Sequence, residues 1–147
     1  MKMVDVGGKE RTERVAVATA RLRMKPETVA RIRAGQVEKG DVLAAARLAG
    51  VMATKRTPDL IPLCHPIALT GVTVEVTLDE GGAHVRAEVK TLDRTGVEME
   101  ALTAAATAAL TIYDMVKSMD RGMVIEALQL EHKAGGRTGT WDRGTAG

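Results

Sequence analysis

Residues 69–92 read Leu69-Thr-Gly-Val-Thr-Val-Glu-Val-Thr-Leu78, then Asp79-Glu-Gly-Gly82, then Ala83-His-Val-Arg-Ala-Glu-Val-Lys-Thr-Leu92. Val72, Val74, Val76 and Leu78 alternate with Thr73, Glu75 and Thr77, and the second run alternates in the same way after a glycine-rich turn. A period of two puts successive side chains on opposite faces, so the segment reads as a β-hairpin. Its apolar face needs a cover, and the flanking sequence offers helices for that purpose.

Downstream, an Ala-rich helical run extends from Glu98 to about Met119, Gly122 ends it, and Met123 to His132 reads as a last strand. Upstream, Val15 to Met24 alternates as a strand, and Pro26 opens a short helix over Glu27 to Ala34 that Gly35 stops. Asp41 is placed to N-cap a second helix from Val42 to about Lys55. Pro58, Pro62 and Pro66 hold the next stretch as an ordered loop. The order β-α-α-β-β-α-β is that of a ferredoxin-like α+β sandwich, an antiparallel sheet with helices on one face, carrying one extra helix. At 147 residues a single domain over 1–147 is expected, with residues 1–12 and 135–147 flexible.

Composition narrows the function. Tyr113 and Trp141 are the only aromatic residues, which argues against an RNA-binding domain of this fold, since such domains stack bases on aromatic side chains. Residues 1–40 carry ten Lys/Arg against five Asp/Glu, whereas residues 41–147 carry eleven against fourteen. A basic first quarter suits an anionic ligand or a solvated face. Cys64 is the only cysteine, which fits a reducing cytoplasm, and no apolar run of about 18 residues points to a membrane. No GxxxxGK[ST] or GxGxxG motif is present, so neither a P-loop nor a dinucleotide site is supported.

On the long helix, Met99, Leu102, Ala106, Ala109, Tyr113 and Val116 step by three and four and are expected to face the sheet. Glu100, Thr103, Thr107, Thr111, Asp114 and Ser118 form a polar stripe on the other side, suited to a subunit interface or a ligand wall. Asp114 and Lys117 are helical neighbours; the plain reading is an ion pair worth ~0.2–0.5 kcal/mol, the chemical one an acid/base pair. Glu98 and Glu100 stand in the first helical turn, where the helix dipole favours acids. Cys64 next to His65 is poor metal-ligand spacing, so no metal site is expected, and no partner order supports a nucleophilic Cys64. A ligand-contacting loop is the better reading, with Leu63 and Cys64 offering backbone groups and His65 a hydrogen bond. Lys39, Lys55 and Lys133 sit at element ends, where a flexible cation can reach a phosphate.

Three motifs, Leu60-Ile-Pro-Leu-Cys-His-Pro66, Thr95-Gly-Val-Glu-Met-Glu-Ala-Leu102 and Leu110-Thr-Ile-Tyr-Asp-Met-Val-Lys117, resemble the molybdenum cofactor biosynthesis protein C family. The resemblance runs from Met3-Val-Asp-Val6 through Lys39-Gly-Asp-Val42, Ala46-Arg-Leu-Ala-Gly50 and Lys55-Arg-Thr57 to Lys133-Ala-Gly-Gly136. Family members are cyclic pyranopterin monophosphate synthases, phosphorus–oxygen lyases of molybdopterin biosynthesis. They convert 3',8-cyclo-7,8-dihydro-GTP, supplied by an upstream radical enzyme, with release of pyrophosphate and no redox cofactor. The resemblance implies a ferredoxin-like fold, a homohexamer built as a trimer of dimers, and a pocket at a dimer interface. It implies catalysis by Asp114, Lys117 and Lys39, and substrate contacts at Leu63, Cys64, His65, Met99 and Glu100, with Glu98, Lys55 and Lys133 close by.

Such roles fit the residue types. Proton transfers suit an Asp–Lys pair whose pKa values desolvation moves toward neutrality. Fixed lysines stabilise the charge that develops as pyrophosphate leaves, and the paired glutamates would accept hydrogen bonds from guanine-type donors. A phosphate-sensing domain on this fold would have no need of the acid/base pair. Two departures fall on the phosphate side: Asp93-Arg94 stands where Gly-Lys is expected, and Arg137 where Lys is usual.

Overall fold

The computed structural model describes residues 1–137 and 139–144. Its elements in chain order are β1 (Thr12–Arg23), α1 (Pro26–Arg33), α2 (Val42–Thr54), α3 (Thr57–Leu60), β2 (Leu69–Asp79), β3 (Gly82–Asp93), α4 (Glu98–Val116), β4 (Val124–Ala134) and β5 (Trp141–Asp142). One five-stranded sheet has the order β2-β3-β1-β4-β5, with every pairing antiparallel. The α+β, ferredoxin-like expectation is met. The tail, expected to be flexible from 135 on, contributes β5 against β4, while Thr138 and residues 145–147 lie outside the described residues.

The hairpin pairs Val72 with Val89, Val74 with Ala87 and Val76 with Val85, so the alternation read from the sequence becomes a cross-strand apolar face. Its turn depends on Gly82, at φ 146°, where an added Cβ would fall 2.0 Å from the Leu22 carbonyl oxygen. Next to the hairpin, Ala16, Ala18, Ala20 and Leu22 of β1 are buried on the helix side. Above them lie Ala101, Ala104, Ala105, Ala108 and Ile112 of α4, each at 0% exposure.

That packing corrects the helical stripe. Of the six residues expected to face the sheet, only Ala109 and Val116 are buried; Met99 is 36% exposed, and Leu102, Ala106 and Tyr113 are intermediate. Of the stripe expected to face outward, Glu100 and Thr103 are buried. Small side chains let the α4 backbone lie close to the sheet and to α2, which leaves Leu102 and Tyr113 partly buried at the margin of the core and Met99 exposed. The proline-rich stretch also holds a helical turn that the sequence did not announce. Pro58 occupies the first turn of α3, where a missing N–H leaves no bond unmade. Thr57 Oγ1 donates to the Ala53 and Thr54 carbonyls, which ties α3 to the end of α2 and sets the course of the following loop.

Helix α1 has no capping side chain of its own, since its N-cap is Lys25. Asp120, beyond the end of α4 and 3% exposed, caps it from a distance: its Oδ2 accepts from the Lys25 N–H at 2.9 Å and from Thr28 Oγ1 at 3.0 Å. Asp120→Ala should therefore lower the unfolding free energy by about 1–2 kcal/mol in denaturant titration, through two lost bonds.

Candidate active site

The C-terminal end of α4 carries Asp114 and, one turn on, Lys117. The loop between α1 and α2 turns at Gly40, φ 118°, and brings Lys39 to the same place. Lys117 Nζ lies 2.9 Å from Asp114 Oδ1, Lys39 Nζ lies 3.0 Å from Oδ2, and Lys39 also donates to the Asp114 carbonyl oxygen at 3.2 Å. Each carboxylate oxygen thus holds a separate ammonium. All three side chains are about half exposed. The hydrogen bonds from Lys117 and then Lys39 hold the Asp114 carboxyl below the usual range. Desolvation, expected to move it toward neutrality, is the smallest influence, because the group is about half exposed and the two cations dominate. The Asp114 carboxylate thus bridges the Lys39 and Lys117 side chains.

At the other end of α4, the loop after α3 crosses the first helical turn, braced by the Cys64 N–H on the Ile61 carbonyl at 3.1 Å. Leu63, Cys64, His65, Glu98 and Met99 meet there around a recess of about 470 Å³ that also touches Lys9. Glu100 stands behind this wall. It is 2% exposed, with Oε2 3.7 Å from Cys64 Sγ and Oε1 buried without a hydrogen-bond partner. Burial pushes the Cys64 thiol up to about 11, helped by the negative potential of Glu100 and Glu98. Burial also raises the Glu100 carboxyl above its ordinary value, with Glu98 adding to the effect.

A second recess of about 610 Å³ adjoins the first through Lys9, Thr95, Gly96 and Glu98, and holds Arg14, Lys133 and Arg137. Arg14 donates to the carbonyls of Asp93 and Arg94, each at 3.4 Å. An added Cβ on Gly136 would fall 2.2 Å from that guanidinium, and one on Gly135 2.1 Å from the Glu13 carbonyl. The Asp93-Arg94 departure thus supports Arg14 through main-chain oxygens, which any residue type supplies. Glu98 folds back over Gly96, where a Cβ would meet its carboxylate at 2.1 Å.

A sequence model of the MoaC family matches residues 3–136. The chain belongs to the MoaC family. It is 58% identical over 144 residues to the cyclic pyranopterin monophosphate synthase of Thermomicrobium roseum, covering 97% of this chain and 87% of that one. It is 56% identical over 140 residues to the synthase of that name from Novosphingobium aromaticivorans, covering 95% and 89%. With the one from Roseiflexus sp. (strain RS-1) the identity is 59% over 140 residues, covering 94% and 89%.

In this MoaC-family chain the residues named from the sequence fall into separate groups. Asp114, Lys117 and Lys39 cluster; Leu63, Cys64, His65, Glu98 and Met99 line one recess and Lys133 the next. Lys55 joins neither, lining instead a recess with Val51, Ile67 and residues 69–72 beside the sheet edge. Glu100 and Asp114 are fourteen residues apart on one helix, about 21 Å at 1.5 Å per residue. Lys9 and Arg14 were missed: their only signal was the basic excess of residues 1–40, which has no spacing rule attached. The raised thiol carries a direct consequence. Alkylation of Cys64 by iodoacetamide should be slow at pH 7.5 and climb only toward pH 11, with a rate well below that of a free thiol; a fast reaction at neutral pH would contradict the burial effect.

Proposed function

We propose that this protein is a cyclic pyranopterin monophosphate synthase acting on 3',8-cyclo-7,8-dihydro-GTP in the cytoplasm, downstream of the radical enzyme that makes this substrate. The observation that carries the reading is the Asp114 carboxylate shared between Lys39 at 3.0 Å and Lys117 at 2.9 Å. The ammoniums can donate protons to the opening purine-derived ring, and the carboxylate between them can take one up. As the cyclic phosphate closes on the α-phosphorus, the bond to the β-phosphate oxygen breaks and pyrophosphate leaves. The cationic recess of Lys9, Arg14, Lys133 and Arg137 suits that departing charge. The adjoining recess of Leu63, Cys64, His65 and Met99 suits the ring. The family relatives named synthases support the assignment.

The recesses and the Asp114 cluster stand about 21 Å apart along α4, too far for one small substrate to bridge its ring-binding wall and its proton donors within one protomer. The reading therefore includes assembly. One copy supplies the cluster and a neighbour supplies the recesses, as in the trimer-of-dimers hexamer that the motifs imply. Exposed Leu48, Met52 and Leu110 on α2 and α4 are consistent with a face that a neighbour covers.

Turnover of the cyclised dihydro-GTP, followed as pyrophosphate release, should fall at least about a thousandfold in Asp114→Asn and in Lys39→Ala while circular dichroism is unchanged. Near-normal rates in either would defeat the assignment. Mixing inactive Asp114→Asn with inactive His65→Ala chains tests the composite site. Random exchange should restore up to about a quarter of the natural activity, whereas a site contained in one protomer restores none.

A further inference from the structure

Asp93 closes β3 opposite Thr12, and Thr91 stands two residues earlier on the same face of the strand. The loop that carries Cys64 and His65 ends beside them at Ala68, one residue before β2. The Ala68 N–H donates to Asp93 Oδ2 at 3.3 Å, and the Ala68 carbonyl accepts from the buried Thr91 hydroxyl. Side chains of β3 thus hold both main-chain groups of Ala68. Pro66 narrows the freedom of the short link back to His65, so a fixed Ala68 limits where the imidazole can sit. The other carboxylate oxygen, Asp93 Oδ1, accepts from the Arg94 N–H at 2.7 Å. That N–H and the Asp93 carbonyl belong to one planar peptide group, so the bond that fixes the first also aims the second. Arg14 Nε donates to this carbonyl at 3.4 Å, and Arg14 lines the recess that holds Lys133 and Arg137.

We propose that Asp93 is a positioning residue that couples the two recesses: one carboxylate oxygen pins the His65 loop through Ala68, and the other sets the peptide plane whose carbonyl seats Arg14. Any residue supplies the carbonyl; only a side chain that accepts two hydrogen bonds joins it to the loop. The ring-side wall and the phosphate-side guanidinium are then held in one register, and a ligand that spans both recesses meets them already spaced. The ligand part of this inference rests on the synthase reading; the coupling of Ala68 to Arg14 does not.

The test uses the full chain with Asp93→Ala, which keeps the carbonyl and loses both acceptor oxygens, and Asp93→Asn, which retains one of them. In Asp93→Ala, hydrogen exchange at the Ala68 and Arg94 amides should quicken at least about tenfold, and the Arg14 Nε–H signal should shift in ¹⁵N spectra. Binding of pyrophosphate alone should weaken about fivefold, and KM for the cyclised dihydro-GTP should rise about tenfold with a smaller change in kcat, because the Asp114 cluster stands at the far end of α4. Asp93→Asn should recover part of each loss, and it carries the comparison if Asp93→Ala does not fold. Thr91→Val, which removes the bond to the Ala68 carbonyl alone, should disturb exchange at Ala68 and leave the Arg14 signal in place. Unchanged exchange at Ala68 in Asp93→Ala, an Arg14 signal indifferent to that substitution, or a loss confined to kcat would each overturn the inference. A protein whose Ala68 and Arg14 signals respond as expected, but which neither binds pyrophosphate nor turns over the cyclised dihydro-GTP, would count against the synthase reading and leave the coupling standing.

Discussion

Alanine packed against alanine sets the geometry of this molecule. Ala101, Ala104, Ala105 and Ala108 of α4 meet Ala16, Ala18, Ala20 and Ala87 of the sheet, all at 1% exposure or less. With no side chain longer than a methyl group between them, helix and sheet backbones approach closely and the fit tolerates little sliding. Helix α2 is held in the same manner: a Cβ on Gly50 would lie 3.0 Å from Val74 and 3.2 Å from the Ala104 carbonyl oxygen. A chain with no phenylalanine thus builds its core from closely packed alanines together with Leu22, Val85, Val89 and Ile112, and α4 carries candidate site residues at both ends.

The same packing explains what could be read from the sequence and what could not. Strand alternation has a period of two and a binary outcome, so Val72 to Leu78 and Ala83 to Leu92 gave the hairpin, its turn and its buried face. Helical faces are graded, and the usual reading weights large apolar residues. On α4 the alanines and Ile112 take the interior, so Met99 is left exposed, Leu102 and Tyr113 pack only at the margin of the core, and Glu100 and Thr103, read as part of an interface or ligand wall, are buried. Helix α3 was hidden because three prolines read as loop, although Pro58 in a first turn is compatible with helix. The cluster of Asp114 with Lys117 was legible from spacing alone. Lys39 joined it only by family resemblance, since its approach depends on the turn at Gly40, and Arg14 became visible only once strands placed it beside Gly136.

Glu98 and Glu100 show how little sequence adjacency says about role. Two residues apart on a helix they point about 200° away from each other, at 100° per residue. Glu98 consequently lies in the wall between two recesses, folded over Gly96, and Glu100 is driven into the interior behind Cys64. A reading that treats them as one hydrogen-bond-accepting pair gives both the same charge. Burial separates them, as it separates Glu100 from Asp114, whose half-exposed carboxylate is held ionised by two lysines. One helix therefore carries acids whose surroundings shift them in opposite directions at its two ends.

Those opposite shifts bear on why a composite site would be useful. In a single chain the two lysines hold the Asp114 carboxyl below its ordinary range, which makes it a weaker base. On the composite-site proposal, a neighbour's recess and the substrate would displace the water around Asp114, Lys39 and Lys117. Desolvation raises a carboxyl and lowers an amine, which narrows the gap between donor and acceptor. The half-exposed cluster would then become active only when assembly and ligand close over it, and a protomer alone would carry the residues without the reactivity. On that proposal the dependence on assembly follows from placing the halves at opposite ends of one helix, since no rotamer change spans about 21 Å.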